Sequence, residues 1–190
     1  LITGASSGFG KATAEYLDRM GHTVYGLGRT ELQHQSIHYC TLDVRKPDTI
    51  TPQVEKIYAK EGHIDVLINN AGMGIGGSLE MATNEEIALQ MDTNFMGCVN
   101  MCRAVLPYMR KQRSGKIINL SSIGGVMGLP YQGYYSASKF AIEGFSEALS
   151  AEIKRFGISV SLIEPGDFST GYNKNRILSE ATLNNEDYGP

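Results

Sequence analysis

Along this chain six short apolar runs alternate with segments of helical periodicity, and that alternation restricts the fold more than any other feature. "LIT" at 1–3 reads as the end of a strand. Residues 8–20 follow as a helix, with Phe9, Ala12, Ala14, Leu17 and Met20 near a 3.6-residue period. "TVYGLG" (23–28) and "IHYCTL" (37–42) read as strands. A helix over 49–61 follows Pro47 and ends near Gly62. "IDVLIN" (64–69) reads as a buried strand. "TNEE" (83–86) is a capping box, Thr83 to Glu86, opening a long helical region to about Gln112. "KIINLS" (116–121), a helix over 134–156 closed by Gly157, and "ISVSLI" (158–163), stopped by Pro165, complete the pattern. Such alternation predicts an α/β fold: a doubly wound parallel sheet in three α/β/α layers.

At 190 residues the chain suits one domain, 1–190, with a full apolar core. A short first strand and a polar, Asn-rich tail from Thr170 to Pro190 lead us to expect a natural polypeptide that continues at both ends. The stretch from Arg29 to Ile37 is too short for a full crossover helix: either that helix is reduced or residues are missing there. A net charge of −3 argues against nucleic acid as a partner, and no run of 18 apolar residues offers a membrane span. The N-terminus lacks the basic flank and apolar core of a signal peptide. Cys40, Cys98 and Cys102 are an odd count without CxxC spacing, which fits reduced thiols in a cytoplasm; Cys98 and Cys102 read as packing residues. The four histidines are scattered, so no metal site is expected.

"TGASSGFG" (3–10) joins the first strand to the first helix, with glycines at Gly4, Gly8 and Gly10. A tight turn, close backbone approach and a helix N-terminus together make a seat for a pyrophosphate. The plainer reading is a Gly-Ser turn. At the end of the second strand, where an acidic residue often takes ribose hydroxyls, stands Arg29. A guanidinium can grip a 2′-phosphate bidentately, which favours NADP(H) over NAD(H). Arg29 as a solvated loop charge is the alternative, and nearby Glu31 keeps NAD open.

Tyr135 and Lys139 stand four apart, on one face of a helix. Free tyrosine has a pKa of about 10, too high to carry protons at neutral pH; lowering it by about three units takes about 4 kcal/mol of preference for the phenolate. An ammonium on the same face of a low-dielectric cleft can supply much of that. Taken alone, the pair could equally be a surface Tyr/Lys row. Tyr134 points about 100° away, toward packing or a substrate mouth. The glycines of "NNAGMGIGG" (69–77) suggest close backbone approach or simple loop mobility.

"TGASSGFG" (3–10), "LDV" (42–44), "NNAG" (69–72), Asn94, "SS" (121–122), "YSASK" (135–139) and "PGDFST" (165–170), in that order, resemble the short-chain dehydrogenase/reductase family and cover nearly the whole chain. "SSIGGVMGLPYQGYYSASKFAIEGF" is similar to its 17β-hydroxysteroid and retinol dehydrogenase branches. The resemblance implies a Rossmann fold and four catalytic residues. Tyr135 would be the general acid/base and Ser122 would bond the substrate oxygen, with Ser121 as its competitor. Lys139 would tune the tyrosine and hold the nicotinamide ribose, and Asn94 would hold a water for proton relay. It further implies that Gly4, Ser6, Ser7, Gly8, Phe9 and Gly10 meet the cofactor diphosphate and ribose. Asp43 would meet the adenine edge and Asn70 the adjacent ribose region; Pro165, Gly166 and Thr170 would border the nicotinamide.

The expected function is NADP(H)-dependent interconversion of a secondary alcohol and a ketone, acting on a small-molecule substrate. A catalytically quiet dinucleotide-binding or sensing protein on the same fold is the alternative; a sugar-nucleotide epimerase is disfavoured by the loop spacing and by the short tail. The helices over 84–112 and 134–156 carry apolar residues round much of their circumference, Phe95, Phe140 and Phe145 among them. The family commonly pairs these helices, so a homodimer or homotetramer is expected.

Overall fold

The computed structural model describes residues 1–166 and 176–188. Its parallel strands are β1 (Ile2–Thr3), β2 (Tyr25–Gly28), β3 (His38–Thr41), β4 (Val66–Asn69), β6 (Gly115–Leu120) and β7 (Ile158–Ile163). They form one sheet in the order β3-β2-β1-β4-β6-β7, a doubly wound sheet whose strand order reverses beside β1. A two-residue strand β5 (Ile75–Gly76) pairs apart from it with β8 (Ile177–Leu178). The helices are α1 (Gly8–Arg19), α2 (Pro47–Glu61), α3 (Asn84–Met91), α4 (Gly97–Gln112), α5 (Gly133–Ile153) and the short α6 (Glu180–Leu183).

Alternation along the strands sorts the core into two layers. Leu27, Leu67 and Ile117 are buried against α2 and α4, where Ile50, Val54, Met101, Val105 and Met109 meet them. Ile2 and Ile68 face the other way and pack with Ala14 of α1, Val24 and Ile37. Truncating one such fully buried side chain to alanine costs about 2–5 kcal/mol. Cys98 and Cys102 lie in the larger layer. Among the described residues no helix is long and apolar enough to cross a membrane.

Most helix ends follow local chemistry. Thr83 and Glu86 close the capping box: Glu86 N donates to Thr83 Oγ1 at 3.1 Å and Thr83 N to a Glu86 carboxylate oxygen at 2.9 Å. Gly62 ends α2 in the left-handed region. One feature differs from the sequence reading. The helical region after Thr83 is interrupted by a π-helical turn over Asp92–Met96. No helix forms between β2 and β3; a loop pinned by His34, whose Nδ1 accepts from Ser36 N and Ile37 N, makes that crossing instead.

Candidate active site

The carboxyl ends of β1, β2, β4 and β6 open into a cavity of about 550 Å³, at the place where the strand order reverses. The glycine loop forms its floor. Gly4 and Gly8 adopt positive φ, +67° and +52°, which residues with a β-carbon rarely reach. A β-carbon on Gly10 would overlap the Gly4 carbonyl and the Asn70 amide. The loop is laced to β4: Asn70 Nδ2 donates to Thr3 O (2.9 Å) and Gly4 O (3.2 Å), and the amides of Asn70 and Ala71 donate to Thr3 Oγ1. Ser7 is the N-cap of α1 but caps no amide with its hydroxyl, and no acidic residue stands in the first turn. The first turn of α1, with no acidic residue in it, thus reaches the cavity through Ser7, Gly8 and Phe9, and a helix N-terminus favours an anion. Gly4, Ser6, Ser7, Gly8 and Phe9 line the cavity. Gly10 does not; it is buried behind the loop and acts through packing.

At the β2–β3 end, Arg29 and Asp43 both face the cavity, with Arg45, which the sequence reading passed over. Arg45 grips Asp43: its Nε donates to both carboxylate oxygens at 3.0 Å, its Nη2 donates to Oδ2, and its backbone amide adds a fourth bond. These bonds hold the Asp43 carboxyl at about 2, below the ordinary 3.8. Arg29 makes no salt bridge among the described residues, and its charge adds to the pull that lowers the Asp43 carboxyl.

At the β6 end, Ser122, Tyr135 and Lys139 are all buried and all line the cavity. Ser122 caps the 3₁₀ turn Ile123–Gly125, its Oγ accepting from Gly124 N at 3.1 Å. A β-carbon at Gly124 would lie 3.2 Å from Tyr135 Cε1, so the serine turn rests on the tyrosine ring. Lys139 Nζ lies 5.8 Å from the centre of that ring and donates to Leu120 O at 2.7 Å. Burial lowers the Lys139 ammonium to about 8, with Cys98 and Glu143 opposing. Ser121 also lines the cavity, but its hydroxyl oxygen is buried beside Gly125 and Glu143.

Asn94 sits in the π-helical turn and is buried. Its Oδ1 accepts from Met73 N (2.9 Å); its Nδ2 donates to Met73 O and to Ser138 Oγ, both at 3.0 Å. A β-carbon at Gly72 would stand 3.5 Å from Asn94 Oδ1 and 3.8 Å from Lys139 Nζ, so both groups border one glycine. Ser138 was missed from sequence, although its place three residues after Tyr135 puts it on the same helix flank; its hydroxyl also donates to Tyr135 O. Tyr134 points elsewhere, donating to Leu79 O. Pro165 and Gly166 line the cavity; Thr170 lies outside the described residues.

The family model described as short chain dehydrogenase matches residues 1–181. The chain is 60% identical over 189 residues to the 3-ketodihydrosphingosine reductase of Bacteroides thetaiotaomicron, covering 99% of this chain and 70% of that protein. Human retinol dehydrogenase 8 is 35% identical over 96% of this chain and 62% of its own length. Human 17-beta-hydroxysteroid dehydrogenase type 1 is 35% identical over 90% and 57%. The solved structure "ElxO with NADP Bound" aligns with a TM-score of 0.85 at 29% identity, covering 89% of this chain and 73% of that one. The chain thus spans 57–70% of the length of these curated relatives.

Proposed function

Since this chain belongs to the short-chain dehydrogenase family, we propose that it interconverts a ketone and a secondary alcohol with NADP(H), Tyr135 serving as general acid/base. The observation that carries this reading is the buried Tyr135–Lys139 pair beside Ser122 at the β6 end of a dinucleotide-sized cavity.

The residues fit the cofactor. The cradle that a β-carbon on Gly10 would disturb and the N-terminal end of α1, without an acidic residue in its first turn, suit the pyrophosphate. Arg29 suits a 2′-phosphate, and a neighbour bound to NADP supports that preference. Asp43 and Asn70 would border the adenosine half. Lys139, Pro165 and Gly166 would border the nicotinamide half. Bound there, NADPH supplies a hydride to a carbonyl carbon.

The chain's own groups then handle the oxygen and the proton. Ser122 Oγ–H donates to the carbonyl oxygen as negative charge develops on it. Tyr135 passes its phenolic proton to the same oxygen. The ammonium of Lys139 favours the phenolate this leaves behind. Lys139 Nζ has three donors and one goes to Leu120 O. Asn94 Oδ1 keeps an acceptor site beyond its bond to Met73 N. A water held between these two groups, beside Gly72, would return a proton to the tyrosine.

The substrate we propose is a long-chain ketone of the 3-ketodihydrosphingosine type, after the 60% identical relative. Ile123 and Ile177, on the cavity wall, are exposed; the adjoining Val126, Met127 and Leu178 are exposed as well. An apolar lip of this kind suits an aliphatic chain. The test is NADPH oxidation by the full-length protein with 3-ketodihydrosphingosine, retinal and a 17-ketosteroid in parallel. Preference for the sphingoid ketone supports the assignment; no turnover of any carbonyl returns the chain to a binding or sensing role.

We also propose a homo-oligomer paired through α5, where Ala137, Phe140, Gly144 and Ala148 are exposed along one face.

A further inference from the structure

Two polar atoms close to the site have no hydrogen bond among the described residues. Both are buried: Ser121 Oγ, next to the proposed substrate serine, and Glu143 Oε1, four residues after Lys139 on α5. They converge on one place. A β-carbon at Gly125 would overlap Ser121 Oγ and lie 3.1 Å from Glu143 Oε1 and 3.3 Å from Glu143 Cγ. A hydroxyl and a carboxylate are complementary, since the first donates and the second only accepts. Buried polar atoms are rarely left unpaired in folded proteins, so an orphan donor facing an orphan acceptor calls for a shared bond.

We propose that Glu143 is a positioning residue for the reaction: its carboxylate pairs with the Ser121 hydroxyl across Gly125, tying the serine turn to the helix that carries Tyr135 and Lys139. This rests on the reading of those residues as the reaction centre. The tie spans the two halves that must stay in register, because Ser122 follows Ser121 directly while Glu143 shares a helical face with Lys139. Gly125 permits it: the two groups flank the space that a β-carbon there would fill.

Glu143 also sets the charge around Lys139. The groups that act on the ammonium are Cys98 from α4 and Glu143 from α5. The Cys98 thiol is pushed well up by its bond to Cys102 and by burial, so it is neutral at neutral pH. Glu143 is then the remaining group that favours the ammonium.

The test uses the full-length protein with Glu143→Gln, Ser121→Ala, the double variant and Gly125→Ala. Glu143→Gln should lower kcat about five- to twenty-fold and leave the dissociation constant for NADPH within about threefold. It should move the alkaline limb of kcat/KM to lower pH by about half a unit or more, because loss of a nearby anion makes the ammonium easier to deprotonate. Glu143→Asp should restore part of that limb. Ser121→Ala should lower kcat without moving the limb, and the double variant should be less impaired than the product of the two single effects. Gly125→Ala, which wedges the pair apart, should reproduce the kcat loss if Glu143→Gln folds poorly. An unmoved limb together with independent single effects overturns the proposal. Tyr135→Phe, assayed alongside, separates the two levels. If it is inactive while Glu143→Gln behaves as wild type, the Glu143 role alone fails; if it is active, the reading beneath it fails.

Discussion

Lys139 is buried with its ammonium 5.8 Å from the centre of the Tyr135 ring and bonded to Leu120 O at 2.7 Å. A carbonyl bond fixes where the charge sits but does not neutralise it. The ammonium therefore stays poised beside the phenol, and burial brings it to about 8.

That value gives a pH dependence with a definite sign. If the charged form serves the tyrosine, kcat/KM should fall as pH rises through about 8. The folded state holds the proton less tightly than the unfolded chain, so the buried ammonium lowers stability below about pH 8, and stability recovers as pH rises toward the unfolded value of 10.5. Lys139→Met should thus lower turnover by about 10²- to 10⁴-fold while raising stability at pH 7 by about 1–3 kcal/mol. Rate profiles and denaturant melts of the two proteins check both halves.

Arg29 faces the cavity without a salt bridge among the described residues. Arg29→Ala should weaken NADPH about ten- to a hundredfold, the worth of charge-assisted bonds to a phosphate, and leave NADH within about threefold. Calorimetric titration with each cofactor separates the two.

Gly10→Ala should destabilise the fold by about 1–3 kcal/mol and weaken both dinucleotides, since its methyl would overlap the Gly4 carbonyl and the Asn70 amide. Urea unfolding and cofactor titration measure the two effects.

What could be read from sequence was what short spacing determines. The capping box at Thr83 and Glu86, the left-handed end at Gly62 and the shared face of Tyr135 and Lys139 all depend on residues within one turn. The strand–helix alternation likewise carried the sheet. What escaped depends on distant partners. The π-helical turn places Asn94 where it meets Met73 and Ser138, and no local pattern announces either contact. The β5–β8 pairing joins residues about a hundred positions apart, whose closure entropy only the folded body offsets. The resemblance placed Asp43 at the cofactor, but nothing in Asp-Val-Arg marked Arg45, two residues on, as its partner in the cavity wall.

Phe140 is 47% exposed on α5, and a β-carbon at Gly144 would touch nothing within 4 Å. If that face joins two copies, Phe140→Glu should shift a dimer or tetramer to monomer in analytical ultracentrifugation, with little change in the far-UV spectrum. A wild-type monomer at micromolar concentration contradicts the pairing.

The central claim is that Tyr135 delivers the proton. Its most direct test is a single-turnover measurement of NADPH oxidation, followed at the nicotinamide absorbance band, in wild-type and Tyr135→Phe protein saturated with ketone. The account predicts NADPH binding within about twofold and a rate constant lowered by about 10²- to 10⁴-fold in the variant. Oxidation at the wild-type rate with the phenol removed would contradict it.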